Sequence, residues 1–168
     1  MTSAEVLADA FGRIRDLVHR AVEGLSSEDL TFRLDSDANS IAWLVWHLTR
    51  VQDDHVAGVA GAEQVWTASG WAEAFGLPLE VSDTGYGHDS EQVGVVRCEA
   101  RLLLGYYDEV HEHTLRFVSA LGEGDLDRVV DTRWNPHVTL GVRLVSVFED
   151  DLQHVGQAAF VRGIVQRR

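Results

Sequence analysis

The sequence contains one cysteine, Cys98, and no lysine. A lone thiol forms no internal disulfide and no CxxC redox or zinc motif. It sits in "VVRCEARLLL", read as mid-helix, where a free cysteine packs as a small hydrophobe, so a buried thiol rather than a nucleophile is expected. All 14 basic residues are arginine, and with the richness in Ala, Gly and Val this suggests a GC-rich bacterial genome. Acidic residues number 27, giving a formal charge of -13 and a pI near 4.8. Such a field repels phosphate backbones and anionic membranes, and with no local basic patch it argues against nucleic-acid or membrane-surface binding. Long hydrophobic runs are also missing: nothing approaches the roughly 20 apolar residues that span a bilayer. The opening "MTSAEVLADAFGRIRD" lacks a basic start followed by an apolar block, so the expected location is the cytoplasm.

What is present is an ordinary globular composition, 45% hydrophobic and 24% charged. A chain of 168 residues suits one domain, taken as residues 1–168, with one sizeable core. Its periodicity is helical. "TSAEVLADAFGRIRDLVHRAVEGL" opens on a capping box from Thr2 to Glu5 and ends near Gly24. Ser40 is a good N-cap for "IAWLVWHLTRVQDDHVAGVAG", which is apolar all round at its start and therefore deep in the core. Residues 61 to 89, broken by glycines and Pro78, predict one short helix and a long connection. A third long helix is expected from about Ser90 to Leu121, and after a break at Pro136, Thr139 starts the last, "TLGVRLVSVFEDDLQHVGQAAFVRGIVQ". No convincing strand alternation appears. The expected fold is an all-α four-helix bundle with a long irregular connection and one short extra helix.

Polar residues inside these helices carry the chemistry. Asp150 and His154 stand four apart on the last helix, where side chains face the same way and an acid and an imidazole can grip one ion. The plainer alternative is an acid that merely orients a structural histidine. His47 lies among Trp43, Leu44, Trp46 and Leu48, a setting in which an imidazole must be neutral and hydrogen-bonded, or metal-bound. Two core helices thus each offer an interior histidine, and bundles build metal sites from inward side chains of facing helices. His111 falls on the core stripe of the third helix and either lines the cavity or is a satisfied core residue. His19 and His113 are placed on partly exposed faces, His55 toward solvent, and His88 and His137 in loops.

Taken together, "WHLTRVQDDH" and "RWNPHVTLGVRLVSVFEDDLQHVGQAAFVRG" resemble the DinB-like metalloenzyme superfamily, in particular its actinobacterial branch related to the mycothiol-dependent enzymes. The similarity covers essentially the whole chain. The resemblance implies a four-helix bundle holding one divalent ion, commonly zinc or nickel, through three residues, which match His47, Asp150 and His154 here. The residue at position 150 is often His in the superfamily and Glu in the mycothiol-dependent maleylpyruvate isomerase; this chain has Asp, with Glu149 and Asp151 as neighbouring substitutes. The expected activity is a thiol S-transferase or isomerase that takes a small thiol such as mycothiol and an electrophilic substrate. Arg143 is expected to contact the acidic or sugar part of the ligands, and Trp43, Trp134 and Asn135 to line the pocket or its mouth.

Three rivals accompany this reading. One is hydrolysis by metal-activated water. Another is a di-metal carboxylate bundle, suggested by Asp108-x-x-His111 and Asp151-x-x-His154. The last is a non-catalytic metal-binding or dimerising module, with the tryptophan segment at residues 66 to 71 either forming a homodimer contact or capping the bundle.

Overall fold

The computed structural model describes residues 1–122 and 124–168. Four long helices dominate: α1 (Ser3–Val22), α3 (Ile41–Ala60), α7 (Ala100–Ser119) and α8 (Leu140–Val165). Their starts are written in the sequence. Thr2 and Glu5 form the capping box of α1, Ser40 Oγ accepts from Trp43 N at 3.1 Å, and Thr139 caps α8. Gly61, with φ of 67°, closes α3 in the left-handed conformation that glycine adopts freely.

Each of α1 and α3 packs against both α7 and α8, so the two pairs stand diagonally across the bundle. The first apolar cluster joins Ile41 to Leu48 on α3 with Val155 to Val165 on α8; the second joins Val56 with Leu140, Leu144 and Val147. The start of one helix therefore meets the end of the other, and α3 and α8 run antiparallel. Between the clusters lies a layer of buried polar residues, Gln52, His111, Thr114 and Asp151. Within it Gln52 Nε2 donates to Thr114 Oγ1 at 2.7 Å.

The connections differ from expectation in three places. Short helices are more numerous than the single one foreseen: α2 (Ser27–Thr31), α4 (Val65–Ala68), α5 (Trp71–Phe75) and α6 (Ser90–Val95). The expected third helix is broken at residues 96 to 99, between α6 and α7. Val96 and Cys98 are both buried there, and side chains two apart share a face only in extended backbone, so burial overrides the helical pattern. Cys98 is thus in the break rather than mid-helix, and burial raises its thiol pKa to about 12. A two-stranded hairpin, β1 (Val129–Asp131) with β2 (Val138–Thr139), leads into α8. Trp66 is buried and Trp71 donates to Glu109 on α7 at 2.7 Å, so the tryptophan segment caps the bundle. No helix among the described residues is long and apolar enough to cross a membrane.

Candidate metal centre

The antiparallel register of α3 and α8 brings His47 level with residues 150 to 154. The His47 and His154 rings have centroids 4.6 Å apart, and one ligand atom each from His47, Asp150 and His154 all lie within 4.8 Å of one another. Among the described residues no other group of histidine, cysteine or carboxylate side chains comes together in this way.

Both imidazoles are oriented by carbonyl groups. His47 Nδ1 lies 2.5 Å from Thr84 O, and His154 Nδ1 lies 2.7 Å from Asp150 O, one turn back on its own helix. A carbonyl only accepts, so each Nδ1 carries a proton, and in the neutral ring Nε2 keeps its lone pair. This is how metal-ligating histidines are held, with the other ring nitrogen donating to a carbonyl or carboxylate. The Asp150 carboxylate completes the set: its Oδ2 is 3.4 Å from His154 Nδ1, yet it is buried and has no hydrogen-bond partner. A buried carboxylate oxygen with no hydrogen-bond partner, together with the two imidazoles, makes a nitrogen, nitrogen, oxygen donor set that suits a divalent transition ion. The residues present fit such an ion.

The electrostatics favour a neutral His47 and an ionised Asp150, while His154 protonates more readily than a free imidazole. Burial lowers the pKa of His47, outweighing the Thr84 hydrogen bond, and keeps the ring neutral. For Asp150 burial pushes upward, but the adjacent His154 ring and the nearby imidazoles of residues 47 and 55 prevail and lower its pKa. Burial likewise opposes the charged form of His154, whose pKa is nevertheless raised by its bonds to Asp150.

Helix phase separates Asp150 from its neighbours. Asp151 is 0% exposed and turns into the bundle axis near Tyr107, while Glu149 bonds Gln153 on the outer face. Asp108 is engaged by Arg15 at 2.8 Å and His19 at 2.9 Å, both on α1, so the two Asp-x-x-His spacings do not converge.

A family model described as mycothiol S-transferase matches residues 6–166. The chain belongs to the mycothiol S-transferase family. Among solved structures, a conserved protein from Enterococcus faecalis is 26% identical with a TM-score of 0.92, over 100% of this chain and 99% of that one. No curated protein matches.

The remaining candidates scatter around the family's bundle. Trp43 stacks on His47, with centroids 4.6 Å apart and planes 10° apart. Arg143 lies toward the start of α8, where Nη1 is 3.1 Å from His55 Nδ1 and Nη2 is 3.3 Å from Asp131 Oδ2. His55 is therefore packed against α8 rather than free in solvent, because the long arginine arm reaches over it. Trp134 is 64% exposed in the loop before β2. His111 stacks on Tyr107 and neighbours Arg15 and Asp16 of α1, away from the triad. Sequence reasoning set aside His88, whose side chain is 2% exposed and bonded to both Asp83 and Trp43. The only signal was the density of small and polar residues in "SDTGYGHD".

Proposed function

We propose that this member of the mycothiol S-transferase family joins a low-molecular-weight thiol, such as mycothiol, to an electrophilic acceptor at His47, Asp150 and His154, which hold one divalent ion, zinc or nickel. The observation that carries the reading is the gathering of one ligand atom each from His47, Asp150 and His154 within 4.8 Å of one another, with Asp150 Oδ2 buried and unpartnered. When bound, a divalent ion supplies positive charge that favours the thiolate over the thiol at neutral pH. Three protein donors, with no fourth among the described residues, favour an open catalytic position over a closed structural one.

The chain's own residues supply orientation. Thr84 O fixes the His47 tautomer, and the Asp150 carbonyl does the same for His154. The Trp43 indole walls one side of His47. Arg143, clamped between His55 and Asp131, borders a cleft of about 720 Å³ that also includes Arg128 and Arg133. Its guanidinium offers a positive anchor for a carboxylate on either ligand. The thiol proton passes to solvent, the sulfur forms its new bond to the acceptor's electrophilic carbon, and that carbon's bond to its leaving group breaks, the group departing into solvent with the electron pair.

The test is consumption of mycothiol in the presence of an alkylating acceptor, with and without chelation. Turnover is expected in the metal-loaded protein and is lost in His47→Ala and His154→Ala. Undiminished turnover in metal-free protein would overturn the proposal, and product formed equally well without thiol would move it to hydrolysis.

A further inference from the structure

A loop far from α8 in sequence grips His47. Thr84 O accepts a hydrogen bond from His47 Nδ1, and Gly85, at φ of 89°, lies so close that a Cβ there would stand 2.7 Å from His47 Nδ1 and 3.0 Å from the Trp46 ring. No other side chain fits: the backbone is left-handed and the space is taken by the imidazole. The loop is itself braced. Asp83 Oδ1 accepts from Gly85 N at 2.8 Å, Arg50 Nε donates to Asp83 O at 3.1 Å, and Trp66 Nε1 donates to Val81 O at 3.0 Å.

A second chain runs from the same loop to the other side of the ring. Trp43 Nε1 donates to His88 Nδ1 at 3.0 Å, and an indole only donates, so the His88 proton sits on Nε2. That Nε2 lies 3.0 Å from each oxygen of Asp83. Asp83 thus orients His88, His88 holds the Trp43 indole, and the indole lies flat on His47. The imidazole is pinned at Nδ1 by the loop backbone and on its face by an aromatic plane that the same loop fixes.

We infer that the loop from Asp83 to His88 is a positioning clamp for His47, in which Gly85, Asp83 and His88 hold the ring in the one tautomer and orientation that turns Nε2 toward Asp150 and His154. Its consequence for metal binding rests on the function proposed above; the clamp itself is a property of the metal-free protein. Partners of ligating histidines set ligand orientation, and their loss typically weakens metal affinity about 10- to 100-fold.

The experiment has two arms. Zinc affinity of the full chain, measured by competition with a chelating dye, is expected to fall about 10- to 100-fold in Gly85→Ala, Asp83→Ala and His88→Phe. It is expected to hold in Tyr86→Ala, whose side chain is 93% exposed on the same loop. Melting temperatures with and without zinc accompany each titration. A lower melting temperature in the metal-free variants with unchanged zinc affinity would make the loop merely structural and overturn the inference. In the second arm, nitrogen NMR of the metal-free protein is expected to find His47 as the Nδ1–H tautomer in wild type and a mixture in Gly85→Ala. A mixture in the wild type would sink the clamp. Absence of zinc and nickel binding in the wild type would remove the metal reading and leave the clamp to be judged by the NMR result.

Discussion

At the scale of the residue, two adjacent aspartates show how one helical step decides chemistry. Asp150 points toward two imidazoles with an oxygen left over, whereas Asp151 turns 100° away into the bundle axis, where burial and the nearby Asp150 charge raise its pKa well above the usual carboxylate value. Replacing Asp150 by Asn removes the charge but keeps the shape. Its expected effect is a loss of zinc affinity of at least about tenfold, or ~1.4 kcal/mol, read by dye competition. The spacing from residue 150 to 154 was legible in the sequence because helical period alone puts the two on one face. His47 was legible because an imidazole among tryptophans and leucines has no partner along its own helix. His88 and Gly85 were not, since their role depends on a ring 37 or more positions away, and nothing local distinguishes them from ordinary loop residues. His55 keeps 35% of its side chain exposed, but its contact with Arg143 was not legible because that arginine reaches it from another helix.

At the scale of the element, Asp53 ties three helices together. Its Oδ1 accepts from Val65 N at 2.9 Å, and its Oδ2 from Trp66 N and from Tyr106 OH, each at 2.8 Å, so one carboxylate starts α4 and joins α3 to α7. Arg50 stands 3.8 Å away, fully buried. Asp53→Ala would strand these donors and an unpaired guanidinium, and the expected cost is about 3–5 kcal/mol in urea unfolding. The long helices α1, α3 and α8 were readable from caps and period, since Thr2, Ser40 and Thr139 each mark a start. The break between α6 and α7 was not: it carries no proline or glycine at residues 96 to 99 and exists because two alternate side chains, Val96 and Cys98, both reach the core. The start of α4 was likewise hidden, because the carboxylate that caps it, Asp53, comes from another helix.

At the scale of the whole molecule, the bundle is two oily clusters with a polar layer between them, and the candidate metal centre lies between α3 and α8. The layer makes stability depend on pH. His111 is half of a stacked pair with Tyr107, and burial, then the Arg15 charge, lowers its pKa despite Asp108, Glu112 and Asp16. A histidine whose folded pKa is depressed takes up its proton more readily when unfolded. Its stabilising contribution is therefore complete above the unfolded value of about 6.5 and is lost as pH falls through the folded value. His111→Asn is accordingly expected to lose less stability than the wild type between about pH 7 and 5, as followed by melting temperature. An equal loss in both would contradict that assignment.

The convergence of α3 and α8 on one cation is tested most directly by the metal content of protein purified without added chelator, alongside His47→Ala and His154→Ala. The account predicts one zinc or nickel ion per chain in the wild type and none in either folded variant. A full complement of metal in either variant would contradict it.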